Sequence, residues 1–318
     1  MDIGLIVSIL TIAIAAGTSL VFATIGEIYT ERSGILNLGV EGIMIMGAVI
    51  GFATAYHTDS AWVGVVGAMI AGGALAFVHA FLTITMRAEQ VVTGLAITLA
   101  GVGLASFLGQ KLGPEGAPLV GLNGPRFQDI AIPGLSQIPI IGPALFDQDA
   151  LVYLMYVVAF ASSYFLYKTR SGLHLRAVGE SPQTADAMGV SVFGTRYLYT
   201  IAGGMLIALG GAHLSLAYTP GWTENLTGGR GWIAVALVIF AAWDPLRAVL
   251  GALLFGGVHA IQFRLQAKGT TIPASLLNML PYILTVVVLV LTTWLEALNK
   301  RVGAPAALGL PYNREERT

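Results

Sequence analysis

The strongest constraint in this chain is the length of its uncharged apolar runs. A helix needs roughly 20 apolar residues to cross a bilayer. Ile3–Gly26, Ser60–Met86, Gln90–Gln110, Tyr197–Gly221 and Ile272–Leu295 reach that length without a charged residue, and Ile35–Ala55 reaches it with one, Glu41. Ala150–Tyr167 is shorter but dense in Val, Leu, Tyr and Phe. Gly231–Trp243 and Ala248–Phe263, split by Asp244-Pro245-Leu246-Arg247, read as a hairpin of short or broken helices. The runs are continuous, whereas a membrane barrel strand shows about ten residues of alternating polarity. The expected fold is an all-α polytopic membrane protein with about nine transmembrane helices (8–10), forming a single domain over residues 1–318.

Composition agrees. Of 318 residues, 56% are hydrophobic and 10% charged, against about 25% charged in a soluble domain. So few charges cannot coat a soluble surface. A net charge of −1 gives no footprint for nucleic acid. The absence of cysteine excludes disulfides, thiolate nucleophiles and Cys-type zinc sites. Met1-Asp2 lacks the positive start of a signal peptide, and the run after it is too long for one, so the first segment reads as a span.

Orientation follows from Lys and Arg. With the N-terminus outside, nine alternating spans place 11 of the 16 basic residues inside: Arg32, Arg87, Lys168, Arg170, Arg176, Arg196, Arg247, Lys300, Arg301, Arg314 and Arg317. Lys111, Arg126, Arg230, Arg264 and Lys268 fall outside. The C-terminal tail, 299–318, is then cytoplasmic.

Two loops stand out. Residues 111–149 hold six of the 13 prolines and form an irregular extracytoplasmic loop, either a passive connector or a docking cap. Residues 168–196 form a basic cytoplasmic loop with a helix signature. Ser181 suits the N-cap, Pro182 the first helical position and Gly189 the stop, leaving about two turns over Gln183–Met188. Such a helix is either a simple connector or a piece that docks into a partner's groove.

Glu41 stands near the start of a span, among three glycines at 34, 39 and 42. Asn37 is four residues earlier and shares its face if the segment is helical. A Gly-rich polar stretch at the mouth of a span is what a broken helix lining an aqueous path looks like. A structural carboxylate held by a neighbouring helix and a proton-coupling group are the alternatives. Thr223–Trp232, which contains Asn225, is a second Gly-rich polar approach from the opposite side, hinting at an inverted repeat. His79, His213 and His259 are scattered singly in separate spans, so no metal site is expected. There is no P-loop, no H-E-x-x-H, no G-x-S-x-G, no Arg-rich voltage-sensor helix and no TVGYG-like filter. No catalytic residue and no cofactor is expected, and with ionisable groups so rare in the spans the energy must come from elsewhere.

Glu31-Arg32-Ser33-Gly34-Ile35-Leu36-Asn37-Leu38-Gly39-Val40-Glu41-Gly42-Ile43-Met44 resembles the ERSG-x-x-N-[IL]-G-[VL]-EG-[IM]-M signature of permease subunits of ABC importers. It is most similar to the nucleoside and simple-sugar subgroup of the branched-chain-amino-acid/ribose permease superfamily. Three further blocks follow in order. Gln90–Ala96 resembles NQ-[IV]-[IV]-[ST]-GLA. Gly172–Pro182 with Ala185, Ala187, Gly189 and Val190 resembles the coupling loop G-x-x-LRA-x-GE-x-P-x-A-A-x-x-x-G-[IV]. Gly229–Ala234 with Trp243-Asp244-Pro245 resembles GRG-[FW]-IA…W-[ND]-P. The departures are Glu89 for Asn, Ser181 where Asn or His is common, and Thr184 for Ala.

The resemblance implies a type II-like ABC importer transmembrane domain in a bacterial or archaeal cytoplasmic membrane. Two permeases, identical or related, would form the pore, with ABC ATPase subunits beneath and an extracytoplasmic substrate-binding (lipo)protein above. A nucleoside or related sugar would cross by alternating access. Pro182–Met188 would be the coupling helix, with Gly179, Glu180, Ser181, Pro182, Ala185, Ala187 and Gly189 meeting the ATPase. Asn37, Glu41, Gln90, Thr93 and Asn225 would line the path. The rival is a stand-alone secondary transporter of a small polar solute, which would need membrane-embedded ionisable groups beyond Glu41.

Overall fold

The computed structural model describes residues 3–267, 272, 273, 276, 277, 279–299 and 303–314. Lys268, Lys300, Arg301 and Arg317, which enter the orientation argument, lie outside the described residues, as do parts of the 272–279 stretch and the end of the tail. Helices α1 (Ile3–Arg32), α2 (Val40–Thr58), α3 (Ala61–Ala80) and α4 (Gln90–Gly109) come first. A loop follows with strand β1 (Asp129–Ala131), short helix α5 (Ile141–Leu145) and strand β2 (Asp147–Asp149). Then come α6 (Ala150–Lys168), α7 (Arg170–Glu180), α8 (Pro182–Ala187), α9 (Val192–His213), α10 (Arg230–Phe240), α11 (Pro245–Ala267) and α12 (Leu280–Asn299). α3 and α9 end in π-helical turns, Phe81–Thr85 and Leu214–Tyr218.

Among the described residues, seven helices are long and apolar enough to cross a membrane: Gly4–Arg32, Val40–Thr58, Ala61–Thr85, Gln90–Gly109, Ala150–Lys168, Val192–Tyr218 and Pro245–Ala267. The chain is a multi-pass membrane protein. Two expectations are corrected. The run Ala248–Phe263 is not short, because the helix around it continues through Arg247 and Arg264 to 23 residues. The 230–240 helix is short, 11 residues or about 16 Å. The Asp244 carboxylate caps α11 by accepting from Leu246 and Arg247 N–H, with Pro245 at its first position. The second correction concerns α1, which runs past Gly26 through Glu27, Glu31 and Arg32.

α1, α2 and α9 form the centre. Leu20, Phe22 and Ile25 of α1 join Ile45 and Phe52 of α2, Leu209 of α9 and Phe255 of α11 in one buried cluster. α3, α4 and α6 surround it and turn Ile70, Leu99, Phe107 and Phe160 outward, as helices bathed in lipid do.

The 111–149 loop is ordered around the antiparallel pair β1–β2, with Ile130 opposite Gln148. Asp149 caps α6 through the N–H groups of Leu151 and Val152. Partial burial, then the nearby Asp149 and Asp147 carboxylates, push the Asp129 carboxyl above its usual range.

Candidate functional site: a broken-helix joint

Between α1 and α2 the chain runs non-helically from Ser33 to Gly39, so its backbone groups lose their intrahelical partners. Buried backbone polar groups need replacements. Side chains from four helices supply them. Gln90 Oε1 accepts Leu36 N–H at 2.7 Å. His79 Nε2 lies 3.1 Å from Leu36 O, and the Thr98 hydroxyl donates to Leu38 O at 2.7 Å. Glu27 Oε1 accepts Asn37 N–H at 3.2 Å. Arg196 Nε donates to Ser33 O, and Asn37 Oδ1 accepts Gly39 N–H at 2.8 Å. The break is thus built rather than loose. Gln90 Nε2 and His79 Nδ1 are buried there without a hydrogen-bond partner, while the Glu27 and Asn37 side chains face each other.

Glu41 stands in the first turn of α2 and is buried. Its Oε1 accepts the Thr227 hydroxyl at 2.5 Å and Gly229 N–H at 3.0 Å, and its Oε2 accepts Gly231 N–H at 2.6 Å. The two Gly-rich approaches singled out in the sequence therefore meet at one carboxylate. The reason is electrostatic: the exposed N–H groups and positive dipole end of α10 attract an anion. Gly231 is required by contact, since a Cβ there would stand 2.5 Å from Glu41 N and Cα.

The joint lies about halfway along α1. Arg230 Nη1 donates to Ala16 O at 2.8 Å and to Ser19 Oγ at 3.2 Å, and its guanidinium carbon sits 5.2 Å from the Tyr218 ring centroid. Ala16 is roughly 20 Å from the Ile3 end at 1.5 Å per residue. From this level α2 runs toward the Ile3 end of α1 and α10 toward the Arg32 end. Val238 and Trp243, at and just past the far end of α10, pack in one cluster with Ile28.

At the Arg32 end, Trp243 Nε1–H donates to Glu31 Oε2 at 2.5 Å, and Arg32 reaches the Trp243 and Ala242 carbonyls. The first and last sequence blocks thus contact each other twice.

Of the sequence-predicted path residues, Asn37, Glu41, Gln90 and Thr93 all lie around the break and are buried in this conformation. Thr93 donates to Glu89 O. Asn225 is exposed, in a turn with φ +56°, and its carbonyl accepts from Gly228. Glu27 and Thr98 were not singled out, and Glu31, His79, Thr227 and Trp243, named only within longer stretches or as scattered histidines, were not read as members of the joint. The i,i+4 spacing of Glu27 and Glu31 was the available signal, obscured by counting any charge as the end of a span. The Glu89 departure is accommodated, since its carboxylate caps α4 through Val91 and Val92 N–H.

The 168–196 loop holds two helices where one was expected. Thr169 Oγ1 caps α7 and Ser181 Oγ caps α8, with Pro182 in the first turn and Gly189 at φ +82°. α8 presents Gln183, Thr184, Ala187 and Met188 outward, beside an open groove that Leu173 also lines. Pro182 and Ala185 are buried.

The sequence matches the family described as "Branched-chain amino acid transport system / permease component" over residues 8–289. The chain belongs to this family. It is 40% identical to "Putative glucose ABC transporter permease protein TsgC13" of Haloferax volcanii, covering 96% of this chain and 98% of that one. It is 36% identical to "Nucleoside ABC transporter permease protein NupC" of Lactococcus lactis, covering 93% of each. It is 34% identical to "Guanosine ABC transporter permease protein NupQ" of Bacillus subtilis over the full length of both. As an ABC transporter permease subunit the chain is a transport component, with ATP hydrolysis on a separate subunit.

Proposed function

We propose that this permease carries a nucleoside or a related simple sugar into the cell as half of a two-permease pore. The similarity to permeases named for glucose, nucleosides and guanosine supports the substrate class. Such solutes need hydrogen-bonding partners rather than charge. The break around Asn37, with Gln90 and Thr93 at its edge, borders the path, and the unpartnered buried Gln90 amide nitrogen turns toward solute when the subunits rock apart. Glu41 holds α2 to α10, so that the two half-length approaches move as one body. Asn225 sits in the exposed turn that leads into the joint. The N-terminus lies outside and the tail inside, with about nine spans in all.

The observation that carries this reading is the meeting of two Gly-rich helix starts at Glu41, in a chain of this family. ATPase domains dock on the outward face of α8, and a substrate-binding protein delivers from the side of the 111–149 loop. The test is uptake of labelled nucleosides and monosaccharides by vesicles holding the assembled importer. Uptake that needs ATP and the binding protein is expected. Gradient-driven uptake by this chain alone would overturn it in favour of a secondary transporter, for which Glu27, Glu31 and Glu41 would be the buried carboxylates.

A further inference from the structure

The C-terminal residues 303–314 pack across the same face as α7 and α8. Ala307 N–H donates to Gly179 O at 2.9 Å, and Ala306 N–H to Glu180 Oε2 at 3.3 Å. Gly309 N–H donates to Gly34 O at 3.2 Å, at the turn that opens the helix break. Arg196 joins both: Nε reaches Ser33 O and Nη1 reaches Leu310 O, each at 3.2 Å. Tyr312 is buried with Val178, Ala185 and Val192, and Arg314 Nε lies 3.0 Å from Asp186 Oδ2. One short segment therefore touches α7 through Ala306 and Ala307, the Gly34 turn through Gly309 and α8 through Tyr312 and Arg314.

We propose that residues 303–314 are a strap that relays movement of α8 to the helix break, making Tyr312 and Ala307 positioning residues for transport. The physical basis is directional. Backbone hydrogen bonds and a buried ring resist being pulled apart, whereas α8 itself spans only six residues and, among the described residues, has no hydrogen bond to the break. The strap's anchor on α8 is the buried face of Ala185, so it leaves the exposed face free for a partner. The inference rests on reading α8 as the ATPase contact.

The test uses the assembled importer in vesicles and reads uptake and binding-protein-stimulated ATP hydrolysis together. Tyr312→Ala is expected to lower uptake about tenfold, within the usual range of coupling energies, while hydrolysis persists. Parallel loss of both, or no change in either, overturns the strap. If that variant does not accumulate, the chain's lack of cysteine allows a second one. Asp186→Cys with Arg314→Cys, joined by a short bis-maleimide that adds one thiol at each end, is expected to keep full uptake because the two residues travel together. Uptake lost on bridging and restored by the unbridged pair overturns the proposal. Met188→Glu, on the free face of α8, reports separately on the ATPase contact: if it leaves ATP-driven uptake intact, that contact fails whatever Tyr312 shows.

Discussion

The Glu41 carboxylate accepts the Gly231 backbone N–H at 2.6 Å, across 190 residues of sequence. Through this bond and its two companions, the first turn of one interrupted segment caps the first turn of another. Glu41→Ala would leave the buried Thr227 hydroxyl and Gly231 N–H, and the half-buried Gly229 N–H, without an acceptor. Each unsatisfied group costs about 1–3 kcal/mol. A drop of several degrees in the detergent melting temperature and loss of uptake are expected. A normal transport rate with only a lower protein yield would show that Glu41 serves assembly alone.

Gly231→Ala tests the same joint by volume. The added methyl collides with Glu41 backbone atoms at 2.5 Å and must push α2 and α10 apart. Gly257→Ala in α11 is the matched control, since nothing lies within 4 Å of its Cβ position. It should be neutral or more stable, by up to about 1 kcal/mol, because Gly is the costlier residue in a helix. Equal melting temperatures for the two variants would contradict the close approach.

Gln90 holds the break by a single acceptor, its Oε1 on Leu36 N–H. Gln90→Ala should cost about 1–3 kcal/mol, while Gln90→Glu keeps the acceptor and should fold with its buried carboxyl neutral. If Gln90 borders the path, both variants change the apparent affinity for solute. Hydrogen exchange at Leu36 separates the two effects, rising in the alanine variant only.

α8 divides into a buried and a free face. Ala185→Arg places a charge among Val178, Val192 and Tyr312 and is expected to reduce the yield of folded chain. Any side chain at Gly189 is strained by φ +82° and should lower stability by about 1 kcal/mol. Met188→Glu should leave yield unchanged and remove ATPase binding, measured by co-purification. Loss of folding in Met188→Glu would place that residue in the core instead.

The mostly helical, multi-pass class and the short capped helix after Ser181 were legible because bilayer length, apolar continuity and capping chemistry act locally along the chain, whereas seven of the about nine expected spans qualify among the described residues. The Gly-rich stretches at 33–42 and 223–232 were visible as exceptions to that pattern, for the same reason. Their meeting was not legible. Whether Glu41 faces a path or the N–H groups of Gly229 and Gly231 depends on where α10 lies, and no local rule fixes that. Glu27 and Glu31 were not read as part of a span because a charge beside an apolar run reads as its end, whereas a neighbouring helix that supplies hydrogen bonds lets the span continue past it. Likewise nothing local to residues 303–314 says that their backbone finds partners at Gly179, Gly34 and Arg196. Sequence by itself determined the solvent, the elements and their ends. Tertiary structure alone decided which buried polar group answers which, because a hydrogen bond in an apolar interior is set by distance in space and not along the chain.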